Sequence, residues 1–255
     1  MILAIDIGNS NIMLGGFEGD QLTFVVNMST EINKTADEYA SKMLGVLSVH
    51  KAVGKSVSGA IISSVVPPLN SVIKKALRLL WGIDAMTVGP GVKTGLNIHC
   101  DTPSSVGADL ICACVAVHKL YGGPALIIDM GTATKMTVVN AKGAFAGVSI
   151  IPGVLMGLNS LSEQTAQLPK IGLEAPKNVI GKNTADSMRS GVIFGNAAMI
   201  DGMIDRIKDE LGAETLSVYA TGGVAHLIIP HCKHTIAFDE HLVLRGLHII
   251  YKKNL

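Results

Sequence analysis

The chain has 255 residues, 48% of them hydrophobic and only 16% charged, with a formal net charge of +1. That length and apolar content suit one large or two modest α/β domains with a sizeable core and leave no room for a disordered arm. A near-neutral balance gives no electrostatic ground for nucleic acid, and apolar runs such as 61–66 and 192–200 fall well short of the roughly 18 to 20 residues that span a bilayer, so no membrane partner is expected. Four cysteines, Cys100, Cys112, Cys114 and Cys232, include no CxxC pair, and the chain enters a strand at Ile2 with no basic leader. Both features read as a reduced, cytoplasmic protein.

The first half opens with an apolar strand that ends in Ile5-Asp6-Ile7-Gly8-Asn9-Ser10-Asn11, and a second strand follows over 12–17. This pattern predicts a hairpin with a carboxylate and small polar groups at its tip. A third strand is expected near 21–27. Thr35-Ala36-Asp37-Glu38 forms a capping box for a helix that carries Tyr39, Met43 and Leu47 on one face. The continuous apolar run 60–66, stopped by Pro67-Pro68, reads as a buried parallel strand. A helix over 71–81 ends at Gly82, and a strand over 85–88 leads into the loop Gly89-Pro90-Gly91-Val92-Lys93-Thr94-Gly95. A further helix over 107–120 carries Asp109 in its first turn, where helix N–H groups keep a carboxylate ionised. Asp109 is either a simple complement to the helix dipole or a general base, with Gly107 and Ala108 leaving space for a substrate. Tyr121-Gly122-Gly123-Pro124 marks the boundary, giving halves of 1–121 and 122–255.

The second half repeats the plan. A strand over 125–129 delivers Ile128-Asp129-Met130-Gly131-Thr132-Ala133-Thr134, a second strand covers 135–139 and a third lies around 147–151. Pro152-Gly153 opens a helix over 155–165, and Thr184 is placed as N-cap of the longest helix, which reaches 211 and stops at Gly212. A strand over 216–220 delivers Thr221-Gly222-Gly223-Val224-Ala225, and a helix over 240–251 closes the second half.

The two carboxylate hairpins, at Asp6 and Asp129, are 123 residues apart, close to half the chain. Duplication explains this economically. Two such tips would make a phosphate clamp, since a carboxylate can hold a cation while Gly, Ser, Thr and Asn offer N–H groups and hydroxyls to phosphate oxygens. Parallel strands alternating with helices place the ligand at the carboxyl ends of the strands, between the halves. Three weaker patterns are set aside. Gly54-Lys55-Ser56 resembles the end of a P-loop, but Val49 stands where its first glycine belongs. Gly89, Gly91 and Gly95 miss the dinucleotide spacing by one residue. His231-Cys232-Lys233-His234 with His226 lacks two well-spaced ligand pairs for a metal.

In order and spacing the chain resembles the type III pantothenate kinases, members of the actin-like, heat-shock ATPase and sugar kinase superfamily. The resemblance rests on Asp6-Ile7-Gly8-Asn9-Ser10-Asn11, the 89–95 loop, Gly107-Ala108-Asp109, Asp129-Met130-Gly131-Thr132-Ala133-Thr134, Ile151-Pro152-Gly153, Asn183-Thr184, Thr221-Gly222-Gly223 and the segment from His241-Leu242 to Gly246-Leu247. It implies an α/β fold of two similar actin-like, ribonuclease H-like halves with a nucleotide cleft between them. It implies ATP-dependent phosphorylation of pantothenate to 4'-phosphopantothenate, the first step of coenzyme A synthesis.

By the same resemblance, Asp109 is the catalytic base, and Gly107, Ala108, Asp109, Leu110 and Thr184 bind pantothenate. Thr184 would come from the partner subunit of a homodimer. Asp6, Ile7, Gly8, Asn9, Ser10, Asn11, Ile12 and Met13 bind ATP, with Asp6 holding Mg2+ and Thr132 touching phosphate from the other side. Asp129 matches the ligand of a monovalent cation, K+ or NH4+. The family pattern departs at three positions. Leu110 stands where the family usually has arginine, Cys100 where an aromatic substrate contact is common, and Lys135 where a small hydroxyl residue is common. Lys135 either restores positive charge for phosphate or substrate, or points to solvent. These departures leave a second reading open, a kinase-like nucleotide-binding regulator with weak or no catalysis.

Overall fold

The computed structural model describes every residue except Val53 and Lys55, so Lys55 of the segment Gly54-Lys55-Ser56 lies outside the described residues. In chain order the elements are β1 (Ile2–Ile7), β2 (Asn11–Glu18), β3 (Gln21–Ser29), α1 (Ala36–Val49), β4 (Gly59–Ser64), α2 (Pro67–Trp81), β5 (Met86–Thr87) and α3 (Ala108–Tyr121). They continue with β6 (Ala125–Met130), β7 (Ala133–Val139), β8 (Phe145–Pro152), α4 (Val154–Glu163), α5 (Thr184–Glu210), β9 (Ser217–Thr221), α6 (Ala225–Ile228), β10 (Ala237–Phe238) and α7 (Leu242–Lys253). Two units result, Met1–Tyr121 with His241–Leu255, and Gly122–Glu240.

Each unit is built on a five-stranded mixed sheet of the same topology. The orders are β3-β2-β1-β4-β5 and, read from the opposite edge, β8-β7-β6-β9-β10. In both, an antiparallel meander of three strands is extended by two parallel ones. The duplicated motif is therefore a duplicated α/β unit, as actin-like folds have. One detail breaks the symmetry. Ile7 pairs with Ile12 across the first tip, whereas Met130 pairs with Thr134 across the second. The second loop is shorter by one residue, and the residue opposite the carboxylate changes from Met13 to Lys135.

The first unit shows how a two-residue period sorts side chains. Leu3, Ile5 and Ile7 are fully buried and pack with Tyr39, Met43 and Leu47 of α1 and with Leu69, Ile73 and Leu77 of α2. Ala4, and with it Asp6, face the other way. That face carries α7, since Gly15, the cross-strand partner of Ala4, lies against Leu244, and Gly59, paired with Ile2, lies against Tyr251. The capping box of α1 forms as the spacing predicts: Thr35 Oγ1 accepts from Glu38 N, and Glu38 Oε2 accepts from Thr35 N at 2.8 Å. The chain starts α2 at Pro67, earlier than 71. The two prolines fill the first turn, where a missing N–H costs nothing, while still excluding continuation of the strand.

The closing helix α7 belongs to the first unit, not to the second as chain order suggested. Its face is cut to fit α3. A Cβ on Gly246 would lie 1.9 Å from the carbonyl oxygen of Cys112, so the helix backbones meet where glycine permits it. Asn254, just beyond α7, pairs with the backbone of the 89–95 loop, accepting from Lys93 N at 3.0 Å and donating to Lys93 O at 2.9 Å. Long-range contacts of this kind leave no periodic trace in sequence. Smaller differences concern ends. Asn183, not Thr184, caps α5, its side-chain oxygen accepting from Asp186 N at 2.9 Å. Asn has the short polar arm that a cap requires, and Thr184 becomes the first helical residue.

In the second unit Leu126, Ile128 and Met130 pack with Val154 and Leu158 of α4 and with Met188, Val192, Ile193, Ala197 and Ile200 of α5. By the same alternation Asp129 faces the opposite side of its sheet.

Candidate phosphoryl-transfer site

In the first unit the carboxyl ends of β1 and β4 and the start of α3 come together. Asp6 pairs in register with Ser63, a fully buried residue at the end of the next parallel strand. Gly107 lies near Val65, one residue beyond β4, and a Cβ on Gly107 would come 2.4 Å from Asp109 Oδ1. The Asp109 carboxylate is therefore folded back over Gly107, at the N-terminal end of α3, where helix N–H groups favour an anion. The buried thiol of Cys112, one turn further along α3, senses both carboxylates. Burial pushes its pKa well up, Asp6 and then Asp109 push it further, and the Ser63 hydroxyl beside it acts in the opposite sense.

The tip between β1 and β2 is stiffened from within and from outside. Gly8 N donates to Asn11 O at 3.0 Å, Thr30 Oγ1 donates to Gly8 O at 2.7 Å and Thr30 N donates to Ser10 O at 3.0 Å. Asn9, Ser10 and Asn11 are exposed. Ile7 and Ile12 are fully buried, so whatever they offer a ligand comes from backbone. Ala108 and Gly107 are half-buried, and Leu110, in the first turn of α3, is buried at 7% exposure. Cys100 is half-buried and unpaired.

The second unit holds the matching set. Asp129 pairs in register with Thr221 at the end of the parallel strand β9, as Asp6 pairs with Ser63. A Cβ on Gly153 would lie 2.1 Å from Thr132 O and 2.7 Å from Gly131 O, and one on Gly222, at φ +96°, would lie 2.6 Å from Met130 C. Two glycine backbones thus press directly on the second loop, and only residues without a side chain allow it. Thr132 at the tip is exposed. Asp129 Oδ2 holds Lys135 Nζ at 2.8 Å, with only 19% and 20% of the two side chains exposed. Thr184 is exposed at the start of α5 in this unit, while Asp109 lies in the other.

Ser63 escapes a reading of motifs, because it is one hydroxyl at the end of an apolar strand, and the Thr221-Gly222-Gly223 motif does not by itself place Thr221 beside Asp129. Their signal is positional, a hydroxyl beside each carboxylate in both halves. The set-aside histidines are engaged separately: His234 Nε2 lies 2.9 Å from Asp205 Oδ1 and His231 meets the edge of Phe194. Among the described residues no group of three or more His, Cys, Asp or Glu could hold a metal. A hard cation on the Asp6 side would accordingly need oxygens from its ligand as well, and a carboxylate beside a hydroxyl suits Mg2+ that arrives with phosphates.

A family model described as type III pantothenate kinase matches residues 2–206. The chain is 41% identical over 254 residues to the type III pantothenate kinase of Solibacter usitatus, covering 100% of this chain and 97% of that relative. It is 40% identical over 255 residues to the same-named protein of Halalkalibacterium halodurans, covering 100% of both. Among solved structures, component A of the Acidaminococcus fermentans (R)-2-hydroxyglutaryl-CoA dehydratase superposes with a TM-score of 0.58 at 14% identity, covering 99% of this chain and 98% of that one. That likeness is one of fold.

Proposed function

The chain belongs to the type III pantothenate kinase family, and from that membership we propose that it transfers the γ-phosphoryl group of ATP to the terminal hydroxyl of pantothenate, with Asp109 as general base. The product, 4'-phosphopantothenate, is the first intermediate of coenzyme A synthesis. The observation that carries the reading is the Asp109 carboxylate, held over Gly107 at the N-terminus of α3, close enough to the Asp6 side for both to act on Cys112.

Phosphoryl transfer requires alignment and charge neutralisation more than covalent assistance. Asp109 accepts the hydroxyl proton as the new O–P bond forms, and the bond to the bridging oxygen breaks to release ADP. Asp6 and the loop through Met13 bind the ATP phosphates, with exposed Asn9, Ser10 and Asn11 as side-chain donors and Ile7 and Ile12 through backbone alone. Asp6 would hold Mg2+ arriving with ATP, and that ion would supply neutralisation of the phosphate charge. Thr132 contributes from the second loop, which Gly153 and Gly222 hold rigid. Rigid donors need no reorganisation as charge shifts, which is where such stabilisation gains its strength.

Gly107 and Ala108 line the acceptor site. Leu110 is buried and offers no guanidinium to the pantothenate carboxylate, so acceptor affinity rests on other groups. The enzyme acts as a homodimer in which Thr184 of the partner subunit reaches pantothenate. Val179 and Ile180, 65% and 80% exposed just ahead of the α5 cap, support a covered surface there. The setting is the cytoplasm, in keeping with four free cysteines and, among the described residues, no helix long and apolar enough to cross a membrane. A nucleotide-binding regulator would need neither a carboxylate at Asp109 nor the space that Gly107 leaves beside it. An ADP-release assay with purified protein, ATP, Mg2+ and pantothenate tests the reading. Turnover that requires pantothenate is expected, and none in the wild type would overturn it.

A further inference from the structure

An exchangeable monovalent cation at Asp129 does not fit the residues around it. Asp129 Oδ2 is already in contact with Lys135 Nζ at 2.8 Å. The pair follows from register, because Lys135 stands directly opposite Asp129 in the β6–β7 ladder and both side chains leave the same face. A cation bound to the same carboxylate would sit beside the ammonium, in a spot where both side chains are about four-fifths buried and water screens them weakly. Like charges so placed repel strongly.

We propose that Lys135 is a tethered cation that takes the place of the exchangeable one on the second phosphate loop, and that nucleotide binding and turnover are indifferent to the identity of the monovalent cation in solution. The inference rests on the kinase reading above and deepens it. The two loops support the assignment by their difference. In the first, the residue opposite Asp6 is Met13, which carries no charge; in the second, the shorter turn brings Lys135 opposite Asp129. The carboxylate that holds the ammonium is itself set against the second loop: Asp129 Oδ1 lies 3.6 Å from where a Cβ on Gly131 would stand, and the Gly153 backbone packs on Gly131 and Thr132. An ordinary surface ion pair lacks both the burial and this fixed neighbour, and contributes little.

The test compares wild type, Lys135→Ala and Lys135→Arg in NaCl, KCl and NH4Cl at equal ionic strength. One readout is ADP release with pantothenate, and the other is calorimetric binding of a non-hydrolysable ATP analogue with Mg2+. Wild type should give rates and affinities equal within about twofold in all three salts. Lys135→Ala removes the ammonium from the Asp129 carboxylate, so in NaCl it should lose about tenfold or more in affinity and rate, with KCl or NH4Cl restoring much of the loss. Lys135→Arg should stay indifferent to the salt. A wild type stimulated several-fold by K+ over Na+ overturns the proposal, as does a Lys135→Ala variant that matches wild type in NaCl. Should wild type bind the analogue yet turn over pantothenate in no salt, the kinase reading fails while the binding data still decide the role of Lys135. No analogue binding in any salt overturns both.

Discussion

The placement of the Asp109 carboxylate can be probed by adding one methyl group. In Gly107→Ala the new Cβ would start 2.4 Å from Asp109 Oδ1, whereas an ordinary contact needs about 3.5 Å. The neighbour is the end of a flexible side chain, so the backbone need not yield; the carboxylate must swing away by about 1 Å. Leaving its present rotamer costs about 0.5 to 1.5 kcal/mol, so the fold should survive with a small change in melting temperature. Catalysis should suffer more. A displacement of about 1 Å in a reacting group can cost on the order of 100-fold. Steady-state ADP release should show kcat reduced by about that factor and KM for ATP nearly unchanged, because the nucleotide loops are untouched. A variant within about threefold of wild-type kcat, with an intact melting transition, would refute the idea that the carboxylate works from this position.

Other consequences concern the frame around the site. Gly246→Ala would put a Cβ 1.9 Å from the backbone carbonyl oxygen of Cys112, and neither helix backbone can rotate aside, so urea unfolding should show a loss of about 1 to 3 kcal/mol. A loss under about 0.5 kcal/mol would mean that the packing of α3 on α7 is looser than the contact implies. His248, stacked on Phe17 with centroids 4.2 Å apart and 3.3 Å from Asp20 Oδ1, has its pKa lowered below the ordinary 6.5, chiefly by burial. The unfolded chain takes up that proton first as pH falls, so stability present above about 6.5 should decline toward lower pH. Asp20 does not enter this window: hydrogen bonds from Lys252 and His248 hold its carboxyl below the ordinary 3.8. The fall in melting temperature between pH 7.5 and 5.5 should be smaller in His248→Gln, and parallel profiles would count against the assignment.

Much of the fold could be read from sequence because its signals are local. The capping box at Thr35 and the 3.6-residue spacing of Tyr39, Met43 and Leu47 are set within one helix, and the apolar run 60–66, which forms β4 over Gly59–Ser64, carries its own burial. The repeated Asp-x-Gly phrase announced two matching sheets, since the same hairpin at both sites calls for the same strand order. What escaped depends on contacts between distant parts of the chain. The assignment of α7 to the first unit rests on Gly246 meeting Cys112 and on Asn254 pairing with Lys93, neither of which has a sequence period.

The site divides the same way. Asp6, Gly107 and Asp109 share one unit, which motif order could suggest without giving the fold of the carboxylate over Gly107. Lys135 could be read as facing phosphate or facing solvent, because sequence alone does not say how many residues a hairpin tip consumes. The turn is one residue shorter in the second copy, and that single residue puts the lysine opposite Asp129. Ser63 became visible only when strand register placed it beside Asp6, and register likewise set Thr221, already marked by its motif, beside Asp129.

The most direct measurement of the central claim compares single-turnover phosphorylation of pantothenate by wild type and Asp109→Asn, with the phosphorylated product identified by mass and ATP-analogue binding measured in parallel. If Asp109 is the general base, the transfer rate should fall by about 100- to 10,000-fold while nucleotide affinity holds within a few-fold. An Asp109→Asn enzyme that phosphorylates pantothenate at close to the wild-type rate would contradict it.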